Sequence, residues 1–193
     1  MNLVQRVMDI SLKPKDTWQV IKSEPATIKD LYTSYAVPLA AITPIASFIG
    51  FSLIGFSMLT MRYRIPLATG LSHAIVSYAL SLVGIYVVAQ IIDALAPNFG
   101  SQKNLINAMK VVVYSYTPAW VAGILLIIPG LSPITGLVSL YSLYILYLGL
   151  PVLMETPQDK AMGYFVVSIV VSILVFVVVG VVSRSLFGLG GLF

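Results

Sequence analysis

The chain has 193 residues, of which 59% are hydrophobic and 9% charged, and its formal net charge is +4. A soluble domain carries about 25% charged residues, so this chain cannot cover itself with polar side chains and is expected to have lipid as its main solvent. The absence of cysteine excludes disulfides and thiolate chemistry, and one histidine provides no cluster of metal ligands. The charge pattern shows no basic stripe for nucleic acid.

The first 34 residues are amphipathic, with apolar residues at helical spacing and a restart of the helix at Pro14. Trp18 lies close to Lys15 and Lys22, and tryptophan and lysine side chains commonly anchor helices in the lipid headgroup layer. We therefore predict that residues 1–34 form a cytoplasmic interfacial region. The alternative is that these helices pack only on their own bundle.

Five apolar segments follow, each close to the ~20 residues that a helix needs to cross ~30 Å of hydrocarbon. They predict an all-α polytopic membrane protein with five transmembrane helices and a short tail. The predicted spans are 35–59, 67–95, 108–128, 134–153 and 162–182, within a membrane domain of 35–182, and the tail is 183–193.

Lysine and arginine residues near the span ends set the orientation. With a cytoplasmic N-terminus, eight of the eleven lie inside and three outside. The inner set is Arg6, Lys13, Lys15, Lys22, Lys29, Lys103, Lys110 and Lys160, and the outer set is Arg62, Arg64 and Arg184. The sequence thus predicts a protein of the inner or plasma membrane with its N-terminus in the cytoplasm and its C-terminus outside.

Three short motifs accompany the spans. They are Asp30-Leu31-Tyr32 before the first, Tyr114-Ser115-Tyr116-Thr117-Pro118 entering the third, and Tyr141-Ser142-Leu143-Tyr144 in the fourth. With these motifs the chain resembles the Yip1 family of small five-span membrane proteins, in its short prokaryotic form. The resemblance implies an integral membrane protein, and for eukaryotic relatives a role with Rab GTPases and vesicle traffic. Eukaryotic members continue the first motif with Gly-Pro, whereas Thr33-Ser34 follow here, so that role is not carried over.

The first two motifs and Trp18 supply candidates for binding a lipid headgroup or a protein partner at the inner face. The alternative is that the aromatic rings only anchor the span ends at the interface. The candidates are Asp30, Tyr32, Tyr114, Tyr116, Pro118 and Trp18.

A second candidate lies in the second span, where His73, Ser77 and Ser81 share one helix face. An ionisable side chain inside a membrane is a functional candidate by default, and a transporter or channel would use this face. The alternative is a neutral histidine that is hydrogen-bonded across helices. Asp93 lies twenty residues from His73, about 30 Å along a helix, which excludes a Ser-His-Asp arrangement from these residues.

The sequence therefore favours a non-enzymatic membrane adaptor, membrane-organising or lipid-interacting protein, with a small transporter or channel as the alternative. No cofactor is expected. The expected partners are membrane lipids and either another membrane protein or a second copy of the chain. Gly70, Ser77 and Gly84 recur every seven residues and allow close helix approach, which favours a compact bundle or contacts between copies of the chain.

Overall fold

The computed structural model describes residues 2–58 and 61–186, so the predicted tail from residue 187 onward lies outside the described residues. Within them, five helical segments are long and apolar enough to cross a membrane, and the predicted all-α, five-span fold is confirmed. The spans are Ile28–Ile54, Leu67–Phe99, Leu105–Ile127, Pro129–Met154 and Gln158–Val182.

Two short helices precede the spans, and several spans are built from more than one helical piece. In chain order the helices are α1 (Leu3–Leu12), α2 (Pro14–Ser23), α3 (Ile28–Leu31), α4 (Val37–Ala40), α5 (Ile42–Phe48), α6 (Leu67–Leu95), α7 (Leu105–Ser115), α8 (Thr117–Ala122), α9 (Ser132–Ser139), α10 (Tyr141–Met154) and α11 (Gln158–Leu186). Tyr32–Ala36 and Ile49–Ile54 are π-helical, and Ala96–Phe99, Gly123–Ile127 and Pro129–Leu131 are 3₁₀-helical.

The first span differs from its predicted limits, because it begins at Ile28 rather than 35 and ends at Ile54 rather than 59. Thr27 starts it with a capping box, in which its hydroxyl accepts from the amide of Asp30. At its end Gly55 has a φ of 78°, which glycine adopts without steric cost. The chain then forms an antiparallel hairpin of β1 (Phe56–Met58) and β2 (Met61–Tyr63).

The third span is divided into two helices near Pro118. Proline donates no hydrogen bond and its ring clashes with the carbonyl four residues earlier, so it is tolerated in a first helical turn. Accordingly α7 ends at Ser115, and Pro118 lies in the first turn of α8. The fifth span, by contrast, is one helix of 29 residues with little burial, as expected for a span that faces lipid on most sides.

The α1–α2 hairpin packs lengthwise along the fourth span. Three contacts follow one another from the end of α1 to the end of α2. Tyr141 Oη donates to the Ser11 carbonyl of α1 at 3.0 Å, Trp18 Nε1 donates to the Ile145 carbonyl at 3.1 Å, and Lys22 Nζ pairs with Oε1 of Glu155, just after α10, at 2.8 Å. Helix α1 lies beside α2 and also contacts α8. The structure shows that the hairpin packs on the bundle with one side and leaves the other side exposed.

Trp18 is fully buried in this packing, which corrects its predicted place in the headgroup layer. Its ring lies on Gly149, where a Cβ atom would collide with it, and meets Tyr114 edge-on at 6.3 Å. A tryptophan enclosed in this way cannot contact a lipid headgroup. It instead fastens the hairpin to the third and fourth spans.

Candidate functional site

A cleft opens where the hairpin meets the first and third spans, and we call it the hairpin cleft. It has a volume of about 270 Å³. Its lining residues are Leu3, Arg6, Glu24, Pro25, Ala26, Asp30, Leu31, Ser34, Tyr35 and Tyr114. The cleft therefore brings together Asp30 and Tyr114 of the predicted set, which come from different spans.

Buried charges form the wall of the hairpin cleft. Arg6 is 4% exposed, forms an ion pair with Glu24 through Nη2, and lies over the Tyr114 ring at 5.6 Å. Its Nη1 atom has no hydrogen-bond partner among the described residues. Behind it Lys110, also 4% exposed, donates to the carbonyls of Ile21 at 2.9 Å and Glu24 at 2.5 Å. A lysine at this position complements the negative end of α2.

The sequence analysis counted Arg6 only among the cations of the inner side and did not select it as a site residue. The available signal was its spacing of four residues from Ile10, because residues at i and i+4 lie on the same helix face. Both side chains are buried in the structure. At the other end of α2, the Lys22 ammonium holds the pKa of the exposed Glu155 carboxyl below its usual value by hydrogen bonding and charge.

A second cavity lies towards the opposite end of the bundle, between the first four spans, and we call it the hydroxyl cavity. It has a volume of about 390 Å³ and includes His73, Ser77 and Ser81, as their shared helix face suggested. Further hydroxyl groups come from the first and fourth spans: Thr43, Ser47, Ser52, Thr135 and Ser139. Among the residues the structure describes, no three His, Asp or Glu side chains are grouped to hold a metal ion.

The sequence profile of the Yip1 domain matches residues 8–180, which include the end of α1, all of α2 and nearly all of the five spans. The chain belongs to the Yip1 family.

Curated relatives of this Yip1 protein are also membrane proteins. The chain is 29% identical over 181 residues to Inner membrane protein YohC of Escherichia coli strain K12, and equally to that of the O6:H1 strain CFT073. The alignment covers 92% of this chain and 93% of each relative. No solved structure matches. Family membership and the five apolar helices make the chain an integral membrane protein, like these inner-membrane relatives.

The candidates Tyr32, Tyr116 and Pro118 of this Yip1 protein do not line the hairpin cleft. Tyr32 Oη donates to the Leu82 carbonyl at 2.8 Å, so its side chain reaches the second span. Tyr116 packs against Phe176 of the fifth span at 5.2 Å between ring centroids. Pro118 is buried at the start of α8. The structure thus divides the predicted inner-face set, and only Asp30 and Tyr114 line the cleft.

Tyr35 completes the cleft, and sequence reasoning did not select it. Its ring lies 4.7 Å from that of Tyr114, and its hydroxyl is 2.9 Å from Thr117 Oγ1 in a buried hydrogen bond. We expect Tyr35→Phe to lower the free energy of unfolding by about 1 kcal/mol, because the Thr117 hydroxyl loses its partner. Denaturant titration in detergent measures this. Tyr147→Phe, at an exposed position outside the cleft, serves as the control, and equal losses in both variants would contradict the assigned hydrogen bond.

Proposed function

We propose that this Yip1-family protein is a non-enzymatic, membrane-organising protein that acts on lipid through its α1–α2 hairpin. The observation that supports the proposal is the lengthwise packing of the hairpin beside α10. Each of its helices has ten residues, about 15 Å, which is about half of the ~30 Å hydrocarbon thickness. The hairpin therefore occupies the depth of one leaflet.

The exposed side of the hairpin is amphipathic, with apolar side chains beside polar and charged ones such as Gln5, Lys13 and Lys15, as is typical of helices that bind at a membrane interface. Four large apolar side chains are exposed there: Val4, Met8, Leu12 and Val20. Leu12, at the tip, is 77% exposed. Exposure of these apolar side chains is unfavourable in water but favourable against acyl chains.

Two extra helices in one leaflet give the protein a wedge shape. A helix with side chains is about 10 Å across, so each adds an area on the order of 80 Å² to that leaflet alone. The protein then fits best where that leaflet is the convex one, because the leaflet's larger area relieves the mismatch. With the orientation that the lysine and arginine distribution favours, this is the cytoplasmic leaflet.

The partners that we propose are membrane lipids, together with a membrane protein or a second copy of the chain that engages the hairpin cleft. Asp30 is the exposed carboxylate of the cleft and Tyr114 is its aromatic wall. Substituting Asp30 should weaken retention of a co-purifying lipid or protein without preventing insertion. Native mass spectrometry of gently extracted protein measures that retention, and unchanged retention would argue against the cleft as the contact.

The distribution of the protein between vesicles of different size tests the proposed wedge shape. Labelled protein reconstituted into a mixture of small and large vesicles should be enriched in the small ones, relative to a lipid dye. Met8→Gln with Leu12→Gln removes apolar surface from the hairpin and should reduce the enrichment. Val170→Gln with Val177→Gln, on the lipid-exposed side of α11, is the matched control. A protein-to-lipid ratio independent of vesicle size would contradict the proposal.

Solute transport is the second candidate, and the hydroxyl cavity is the observation that favours it. A pore or carrier needs polar groups from several spans, and this cavity collects them around His73. Glycerol flux into proteoliposomes that is lost in His73→Ala would support transport. Flux equal to that of empty vesicles would contradict it.

A further inference from the structure

The hydroxyl cavity is lined in a way that selects one class of ligand. Its residues come from all of the first four spans, and its volume of about 390 Å³ is within the range of sites for small molecules. The site is independent of the hairpin, because no residue of α1 or α2 lines it.

The charge of the lining is the first criterion for the ligand. None of the eighteen described lining residues is Asp, Glu, Lys or Arg, and the titratable group in the lining is His73. A charged headgroup inside a membrane needs an opposite charge to offset the loss of its hydration. The lining therefore favours an uncharged ligand.

Hydrogen bonding is the second criterion. Four of the lining hydroxyls donate their proton to a carbonyl of their own helix: Ser77 to Ala74 at 3.2 Å, Ser81 to Tyr78 at 2.8 Å, Thr135 to Leu131 at 3.3 Å, and Ser139 to Thr135 at 2.7 Å. A hydroxyl has one donor and two acceptor sites, so these groups present acceptors to the cavity. A ligand that binds to these four hydroxyls must supply the donors.

Ser52 provides independent support for a ligand in the hydroxyl cavity. It is 5% exposed, lines the hydroxyl cavity, and its hydroxyl has no hydrogen-bond partner among the described residues. Buried hydroxyls are nearly always hydrogen-bonded to protein, ordered water or a ligand. The lining also includes the aromatic side chains of Phe48, Phe51 and Trp120. Water would satisfy the hydroxyl groups but not this aromatic surface.

We propose that the hydroxyl cavity binds an uncharged amphiphile whose headgroup donates hydrogen bonds through hydroxyl groups and whose body is apolar, as in a monoacylglycerol. The headgroup would contact the hydroxyl groups of the second and fourth spans. The apolar body would pack against Phe48 and Trp120. The proposal adds a binding site to the protein whether or not the hairpin organises the membrane.

Quenching of Trp120 fluorescence by a short-chain brominated monoacylglycerol tests the proposal. The chain has two tryptophans, and Trp18 is enclosed at the other end of the bundle, so the difference between wild type and Trp120→Phe reports on the cavity. In detergent, this difference should saturate with probe concentration. Quenching that rises linearly, or that is unchanged by Trp120→Phe, would show simple partitioning and overturn the proposal.

Competition identifies the ligand class. Unlabelled monoacylglycerol should displace the probe, whereas the methyl ester of the same acyl chain, which has no donor, should not. The lysophosphatidate of that chain, which carries a charge, should not displace it either. Equal displacement by the methyl ester would show that the cavity recognises only apolar chains, and preferential displacement by the lysophosphatidate would show an anion site. Either result would overturn the assigned class.

Two kinds of variant locate the site. Ala74→Leu fills the cavity and should weaken binding at least tenfold, whereas Ala79→Leu, on the exposed side of the same helix, should leave it unchanged. Ser77→Ala and Ser81→Ala keep the volume but remove one acceptor each, and each should weaken binding by about threefold to tenfold. These two variants keep the test decisive if Ala74→Leu does not fold. Wild-type affinity in both serine variants would overturn the proposal.

Discussion

Trp18→Ala is expected to lower the free energy of unfolding by about 3–5 kcal/mol, the usual cost of removing a large buried aromatic side chain. The ring is fully buried, donates a hydrogen bond to the Ile145 carbonyl and covers Gly149. Its loss leaves a cavity exactly where the hairpin is fastened to the fourth span. We therefore expect the hairpin to separate from the bundle while the five spans stay inserted.

Unfolding titrations in detergent measure the stability, and thiol labelling measures the separation. The chain has no cysteine, so Thr17→Cys provides a single reporter on the buried side of α2. Labelling of this cysteine by a water-soluble maleimide should be faster when Trp18 is replaced. Gln19→Ala, an exposed neighbour, should change neither quantity. Gly149→Leu should reproduce the effect of Trp18→Ala from the other side of the contact, and unchanged labelling in both would contradict the fastening role.

Arg6→Met is expected to lower the free energy of unfolding by about 2 kcal/mol. Breaking a buried ion pair from one side leaves the other charge without its partner, and the effect is reduced here because the Glu24 side chain is 37% exposed. Glu24→Gln should cost at least as much. It leaves Arg6 and Lys110 as two buried cations beside each other, with no carboxylate from Glu24 to offset their charge.

The double variant Arg6→Met, Glu24→Gln separates the ion pair from simple packing. If the pair is the source of the loss, the double variant should be more stable than the sum of the single losses predicts. Neither member of the pair is then left without the other, and Lys110 keeps its two carbonyl acceptors. Denaturation of all four proteins under identical detergent conditions gives the coupling energy. Strictly additive losses would show that the two side chains act independently.

The sequence by itself determined the five-span architecture and the family. A run of about twenty apolar residues is a local property, and its length alone decides whether a helix crosses the hydrocarbon. The motifs around Tyr32 and Tyr116 are equally local. The face shared by His73, Ser77 and Ser81 also follows from helical spacing alone, and the structure places all three in one cavity.

The placement of α1 and α2 was decided only by the tertiary structure. Two ten-residue amphipathic helices show the same pattern whether their apolar side meets lipid or protein, so Trp18 could equally have been an interfacial anchor. The deciding residue is Gly149, more than a hundred residues away, because its lack of a side chain leaves room for the Trp18 ring on the fourth span. In the same way, Arg6 looks like a surface charge until Glu24 and Tyr114 are brought beside it.

The division of the motif residues also required the tertiary structure. Tyr114 and Tyr116 are two positions apart, about 200° around a helix, so they cannot face one pocket while the helix continues. One ring lies over the hairpin cleft and the other meets the fifth span. The hydroxyl cavity likewise needs Thr43 and Thr135 from separate spans. Local pattern determines which segments cross the membrane, whereas contacts between distant segments decide which side chains share a site.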